Sequence, residues 1–244
     1  RSCIPWPTDV VISQMLSLSQ PCFSGTLLML LASNFLLWKN VAPVPMYASL
    51  DEYGEMSIYD LLDHVTILSH NVSELTAEMH RIFMEDVRYK PGRWFSDRYL
   101  TACHTSTLTI SVSKEGARQM PGVFLVKEMI SMLTAWRYPL YHIITELSYM
   151  EQAPDEIISR ARNIEEKIIV LIEALRGILS KIQPGPPENE RYPVWNELAS
   201  LQSPDEDLRH LTLFNLFQCL VKDSRKIDSS IRLLKCKLLY NRDC

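Results

Sequence analysis

Six cysteines and six histidines are the residues whose chemistry could define a function in this 244-residue chain. The histidines, at positions 64, 70, 80, 104, 142 and 210, lie on separate segments. There is no His-Glu-x-x-His, and the paired Glu-x-x-His motifs that a di-iron bundle needs are absent. Asp207-x-x-His210 is the nearest approach, and it stands alone. No Gly-x-Ser-x-Gly elbow occurs, and the 7 glycines form no phosphate-cradling cluster. Asp155, Glu156, Glu165 and Glu166 read as a solvated helix face. Neither a catalytic constellation, nor a metal site, nor a cofactor is expected. A formal net charge of −4 provides no basic excess to hold a phosphate backbone, so nucleic acid is not an expected partner.

The cysteines say more. From Gly25 to Trp38 the chain reads GTLLMLLASNFLLW. That apolar run has the length of a signal-peptide core and is too short to span a bilayer comfortably. Ala42 is small enough to precede a cleavage point, and Met15 opens a segment of ordinary signal length. Arg1–Gln14 reads as upstream sequence. The expected division is a leader, 1–43, and one folded domain, 44–244. Cleavage would remove Cys3 and Cys22 and leave Cys103, Cys219, Cys236 and Cys244. An even number in a secreted chain suggests two disulfides. Cys219 and Cys236 fall on one predicted helix, roughly 25 Å apart, which is beyond disulfide reach. Joining Cys219 to Cys244 would stretch the tail fully back along that helix, spanning at most ~27 Å. Cys103–Cys219 and Cys236–Cys244 remain.

Four helical stretches must position these groups. The last, from Pro204 to about Tyr240, carries Leu213, Phe217, Leu220, Ile227, Ile231, Leu234 and Leu238. Those steps of four and three make one apolar stripe, interrupted by Ser224. Ser203 is its expected N-cap, with Asp205, Glu206 and Asp207 favoured by the helix dipole. The first stretch, about Ser57 to Val87, has Leu61, Val65, Leu68, Val72, Leu75, Met79 and Ile82. The second, about Lys114 to Met150, has Val126, Ile130, Leu133, Leu140, Ile144 and Leu147, with Pro139 expected to kink it. The third, about Pro154 to Ile182, has Ile157, Ala161, Ile164, Ile168, Leu171, Leu175, Ile178 and Ile182. A short link around Gln152 makes the second and third stretches antiparallel neighbours. Arg88–Ser113 and Gln183–Ser203 are long enough to travel a whole helix. The expected fold is all-α, an up-up-down-down four-helix bundle with two long crossovers. Cys103 anchors the first crossover, and Tyr192-Pro193-Val194-Trp195 offers aromatic anchors in the second.

Several stretches then resemble the prolactin and growth-hormone family, in order from about Ser57 to Cys244. They are Ala102-Cys103-His104-Thr105-Ser106, Trp136-Arg137-Tyr138-Pro139-Leu140-Tyr141-His142, Tyr192-Pro193-Val194-Trp195, Leu201-Gln202-Ser203, and Cys219-Leu220 with Asp223-Ser224-Arg225-Lys226-Ile227-Asp228. The tail from Cys236 to Cys244 is similar as well. Val44–Glu55 holds no cysteine, which is the pattern of the placental prolactin-like hormones. The resemblance implies a secreted, monomeric hormone that signals through a single-pass cytokine-class receptor, with no membrane insertion of the mature chain.

Carried over by position, the family's principal receptor face falls on His70, Phe214, Gln218, Lys222, Lys226 and Arg232. Its second face packs around a small glycine whose place Ala174 takes here. Val221 replaces a basic residue of prolactin, Arg225 a histidine, Ser230 a tyrosine and Ser73 a second histidine. Weak binding to the prolactin receptor is therefore expected. Asn71-Val72-Ser73 is the one glycosylation sequon, placed on the flank of the first helix. Ile169 and Val170 fall off the third stripe, either widening the core or forming a new contact surface. Two other readings compete: a carrier holding an apolar ligand in the bundle, which requires a cavity, and a secreted binder of some other partner such as a matrix polysaccharide.

Overall fold

The computed structural model describes residues 50–86, 101–111, 114–150, 155–185 and 191–240. All of them belong to one compact unit, Tyr47–Cys244. The leader expected at 1–43 lies outside the described residues.

The helices are α1 (Leu50–Glu55), α2 (Ile58–Glu85), α3 (Lys114–Gln119), α4 (Gly122–Tyr149), α5 (Asp155–Ile182), α6 (Leu198–Leu201) and α7 (Glu206–Tyr240). Two 3-10 turns, His104–Thr107 and Thr109–Ser111, stand in the first crossover. Ser57 caps α2, its hydroxyl oxygen accepting the Asp60 amide at 3.2 Å. At α7 the expected cap is displaced by two residues. Asp205, not Ser203, accepts the amides of Asp207 and Leu208 at 3.1 and 3.4 Å, while Ser203 accepts the amide of Asp205. The second predicted helix is in fact two, α3 and α4, parted at Met120-Pro121. Proline has no N–H to donate and disfavours helical backbone in the residue before it. Pro139, by contrast, lies inside α4, which runs on through it.

The topology follows from pairs that meet across the helices. Between α2 and α7, Asp63 meets Lys235, Ser69 meets Asp228, Thr76 meets Ser224 and Phe83 meets Phe217. Ascending numbers on one helix face descending numbers on the other, so the two are antiparallel. Leu61 near Gly177 and Glu78 with Arg160 make α2 and α5 antiparallel in the same way. Gly122 near Leu234, with Trp136 bonded to Asp223, does so for α4 and α7. α2 and α4 therefore run in parallel, and α5 and α7 run against them. Each of the first pair packs on both of the second, so α2 and α4 stand at diagonal corners of an up-up-down-down bundle.

The stripes hold with small shifts. On α5 all the striped residues but Ile182 are buried. On α2 the buried line drifts to Thr76 and Phe83, leaving Leu75 and Ile82 half-buried. Val170 packs against the core, so that side of α5 widens the core face, and Ile169 is half-buried. The void lined by Val72, Leu133, Trp136, Ile168, Leu171 and Leu220 measures about 10 Å³. A space that size barely admits one water, so the described residues are close-packed there and leave no room for an apolar ligand.

Candidate functional site

The long α7 is the element on which most of the expected site residues ride. Its first half is buried on every side from His210 to Phe217. Both crossovers wrap it there. Cys103 is bonded to Cys219 with their Cα atoms 5.6 Å apart, and α6 packs on the helix from the second crossover. Trp195 is 4% exposed and lies tilted against Tyr138 and His142 at 6.0 and 6.3 Å, so it is the aromatic anchor, whereas Tyr192 and Val194 stay exposed.

Beneath the first crossover sits a buried carboxylate. Asp223 is 1% exposed, and its Oδ2 accepts the Thr105 hydroxyl at 2.6 Å and the Trp136 indole N–H at 2.9 Å. Burial pushes its pKa above the usual carboxylate range, opposed by those two bonds and by the charges of Lys226 and Lys222. His104 lies edge-on to Trp136 at 4.7 Å and against the Ala135 carbonyl at 3.3 Å. Burial lowers its pKa to about 4, so the ring is neutral at pH 7. One acid thus ties a loop, α4 and α7 together. The signal for it was in the chain: Asp223 lies between Leu220 and Ile227, on the apolar side of its helix, where an acid must find donors.

Past Gln218, α7 emerges from this wrapping. Gln218, Lys222, Arg225, Ser229 and Arg232 are exposed at helical spacing and form one mainly basic ridge. Lys226 is half-buried beside it, its pKa lowered by burial against the pull of Asp223. The ridge is joined to α2 by a polar cluster. Asp228 accepts Arg232 at 2.8 Å and Ser69 at 3.1 Å. His70 sits 3.4 Å from Arg232, 3.2 Å from Glu74 and 4.0 Å from Asp228. The expected pair His70 and Arg232 is therefore in contact, and Asp228 is the organising residue that position alone did not reveal.

Two expected contact residues are elsewhere. Phe214 is 3% exposed and lies against His80 at 6.0 Å, because the crossovers cover this half of α7. Ala174 is fully buried in the core, on the same side of α5 as Leu171 and Ile178. Both side chains are buried in this conformation. Val221 and Ser230 are also buried, so of the substituted positions on α7 only Arg225 presents its side chain. Asn71 and Ser73 are half-buried on the flank of α2. Cys236 is disulfide-bonded, and Cys244 lies outside the described residues. Among the described residues no helix is long and apolar enough to cross a membrane, and no group of three His, Cys, Asp or Glu gathers to hold a metal.

Comparison with known proteins adds two findings. The model of the somatotropin hormone family matches residues 30–244. Prolactin-6A1 of Rattus norvegicus is 64% identical over 234 residues, covering 96% of this chain and 100% of that protein.

Proposed function

We propose that this chain, which belongs to the somatotropin hormone family, is a secreted hormone that docks a single-pass cytokine-class receptor through the α2–α7 ridge. Members of the family are hormones, not enzymes. The observation that carries the docking surface is the exposed run Gln218, Lys222, Arg225 and Arg232. It is bordered by His70 and stands on a helix fixed by Cys103–Cys219 and by the Asp228 cluster. A charged ridge on a helix fixed by its neighbours, with Arg232 already held by Asp228, suits recognition, because the backbone that carries it needs no ordering on binding. Lys226, half-buried at its edge, belongs to the same surface; Phe214 supports it from below. The mature hormone is a monomer beginning near Val44, and its second disulfide joins Cys236 to Cys244.

The test is a binding screen of the mature protein against cytokine-receptor ectodomains. One ectodomain should bind, and Lys222→Ala with Arg225→Ala should weaken it by more than about tenfold, the scale of interface anchors. A Tyr149→Ala control on the far end of α4 should bind as wild type. Failure of every ectodomain to bind would overturn the reading.

Asn71 is the proposed glycan site. It lies one residue after His70, so a glycan there would crowd the edge of the ridge. Intact-mass analysis of secreted material should show the glycan, and Asn71→Gln should change receptor affinity with little change in melting temperature. An unmodified secreted protein would overturn the assignment.

A further inference from the structure

Away from the close-packed bundle centre, a larger space lies where the two crossovers meet on α7. It measures about 130 Å³. His104 comes to it from the first crossover, Trp195 and Glu197 from the second, and Asn215 and Leu216 from α7. Cys103 and Cys219 line it too, and the bond between them fixes the first crossover on the helix at this point. Trp195, Asn215 and Leu216 are all buried. These walls are in place before anything enters, so a ligand has little order to impose.

The polar groups of the wall are of one kind. His104 meets the Ala135 carbonyl through Nε2. A carbonyl only accepts, so Nε2 carries the proton and Nδ1 is a bare acceptor. Burial keeps that ring neutral at pH 7, its pKa lowered to about 4. Asn215 is 7% exposed, and its amide nitrogen donates to the Thr101 hydroxyl, which leaves its carbonyl oxygen to accept. Glu197 stands at the cap position of α6, yet its half-buried carboxylate makes no cap bond. No lysine or arginine lines the space. The Trp195 indole N–H is buried without an acceptor, shut off from any water-sized space, and adds no donor to the wall. One carboxylate, two neutral acceptors and an aromatic ring suit a cation that carries N–H groups. An apolar cavity of about 150 Å³ takes benzene, so this space holds a chain of about five or six non-hydrogen atoms.

We propose that this space is a binding site for a small alkylammonium, a primary amine in its charged form on a short carbon chain. Glu197 supplies the counter-charge, Asn215 and His104 supply further acceptors, and Trp195 and Leu216 supply the apolar wall for the chain. A free diffusible amine and the end of a lysine side chain on a docked protein present the same chemistry. The site stands apart from the exposed ridge and does not rest on the receptor reading.

The test titrates n-butylammonium chloride into the isotope-labelled mature hormone, with ionic strength held constant by sodium chloride. The Trp195 indole resonance, assigned by its loss in Trp195→Phe, should shift saturably. Nuclear Overhauser contacts should join the butyl chain to Trp195 and Leu216. n-Butanol, of the same length without the charge, should bind about tenfold more weakly or worse, and so should n-butylammonium to Glu197→Gln. Far-UV helicity establishes that this variant is folded, and the comparison with butanol needs no variant. No saturable shift in the wild type would overturn the site. Equal binding of butanol and butylammonium, or unchanged binding by folded Glu197→Gln, would overturn it as well. An ectodomain that binds the ridge then separates the two sources. Affinity for it weakened by saturating n-butylammonium in the wild type, but not in Glu197→Gln, assigns the site to a lysine of the receptor. Unchanged affinity assigns it to a free amine. The titration needs no receptor, so failure of every ectodomain to bind would overturn the receptor reading while the amine data still decide this one.

Discussion

Asp223 is the residue on which the docking of the first crossover turns. It spends the cost of a buried carboxylate on two donors from two other elements, Thr105 and Trp136. Asp223→Ala would remove the acceptor of both, at about 1–3 kcal/mol for each buried bond lost, and should be visible in chemical denaturation as a lower midpoint with unchanged slope. His104 sets a pH dependence beside it. Its imidazole takes up a proton near pH 6.5 when unfolded and near 4 when folded. Between those values the unfolded state binds the extra proton, so stability falls as pH drops from 6.5 toward 4 and is level below. The shift corresponds to roughly 3 kcal/mol at most. Burial lowers His80 and His210 as well, adding slope of the same sign. Asp223 works the other way: its folded pKa is raised, so stability is lost as pH rises from 3.8 through that higher value. The contribution of His104 is isolated by difference. His104→Asn, which can still donate to the Ala135 carbonyl, should be the less pH-sensitive protein between pH 4 and 6.5. Parallel stability curves for the two would refute the assignment.

At the scale of elements, α7 is one helix with two environments. From His210 to Phe217 it is enclosed, and from Gln218 onward one side is free. The Cys103–Cys219 bond stands at that boundary and closes a loop with a sequence separation of 116 residues. In the chain-entropy account such a loop is worth about 4–5 kcal/mol. Cys103→Ser with Cys219→Ser should therefore lower unfolding free energy by about that amount. It should also raise amide exchange in residues 101–111, which would then be held by the Asp223 cluster, by the bonds of Thr101 to Asn215 and Thr109 to Glu128, and by the buried Ile110. Non-reducing peptide mapping checks the other pair: a linked peptide containing Cys236 and Cys244 is expected, and Cys236 joined to any other cysteine would correct it.

At the scale of the molecule, the filled bundle centre separates two functions that share this architecture. A carrier needs a cavity, and the void beside Trp136 between the long helices measures only about 10 Å³. A fluorescent fatty acid should not bind the native protein; stoichiometric uptake would show a cavity that opens. On the proposed reading receptor choice also belongs to this scale, because the ridge is a composite of α2 and α7. Arg225 in place of a histidine, with Val221 and Ser230 too short and too buried to reach out, predicts weak binding to the prolactin receptor. Nanomolar affinity at physiological salt would show that His70, Lys222 and Arg232 suffice.

The sequence determined the number of long helices, most of the buried line on each and the first disulfide. These depend on periodicity and chain reach, which are properties of one dimension: Ile157 to Ile178 on α5 is a core stripe in any bundle. It also held Gln218, Lys222 and Arg232 on one exposed side, as spacing along a helix requires. What it could not determine is which second side of a helix is covered by a distant segment. Phe214 became core because two crossovers and a disulfide close over α7, and Ala174 because α5 is buried on that side. An acid on an apolar stripe announces that donors must exist, but Thr105 and Trp136, more than 80 residues away, are named only by the folded chain, at separations of 118 and 87. The expected helix from Lys114 to Met150 breaks at Pro121 and continues through Pro139, so which proline ends a helix was settled only by the fold. Gly177 was one of 7 glycines until Tyr53 was found against it. A missing side chain has no periodicity, and its purpose exists only in the contact it permits.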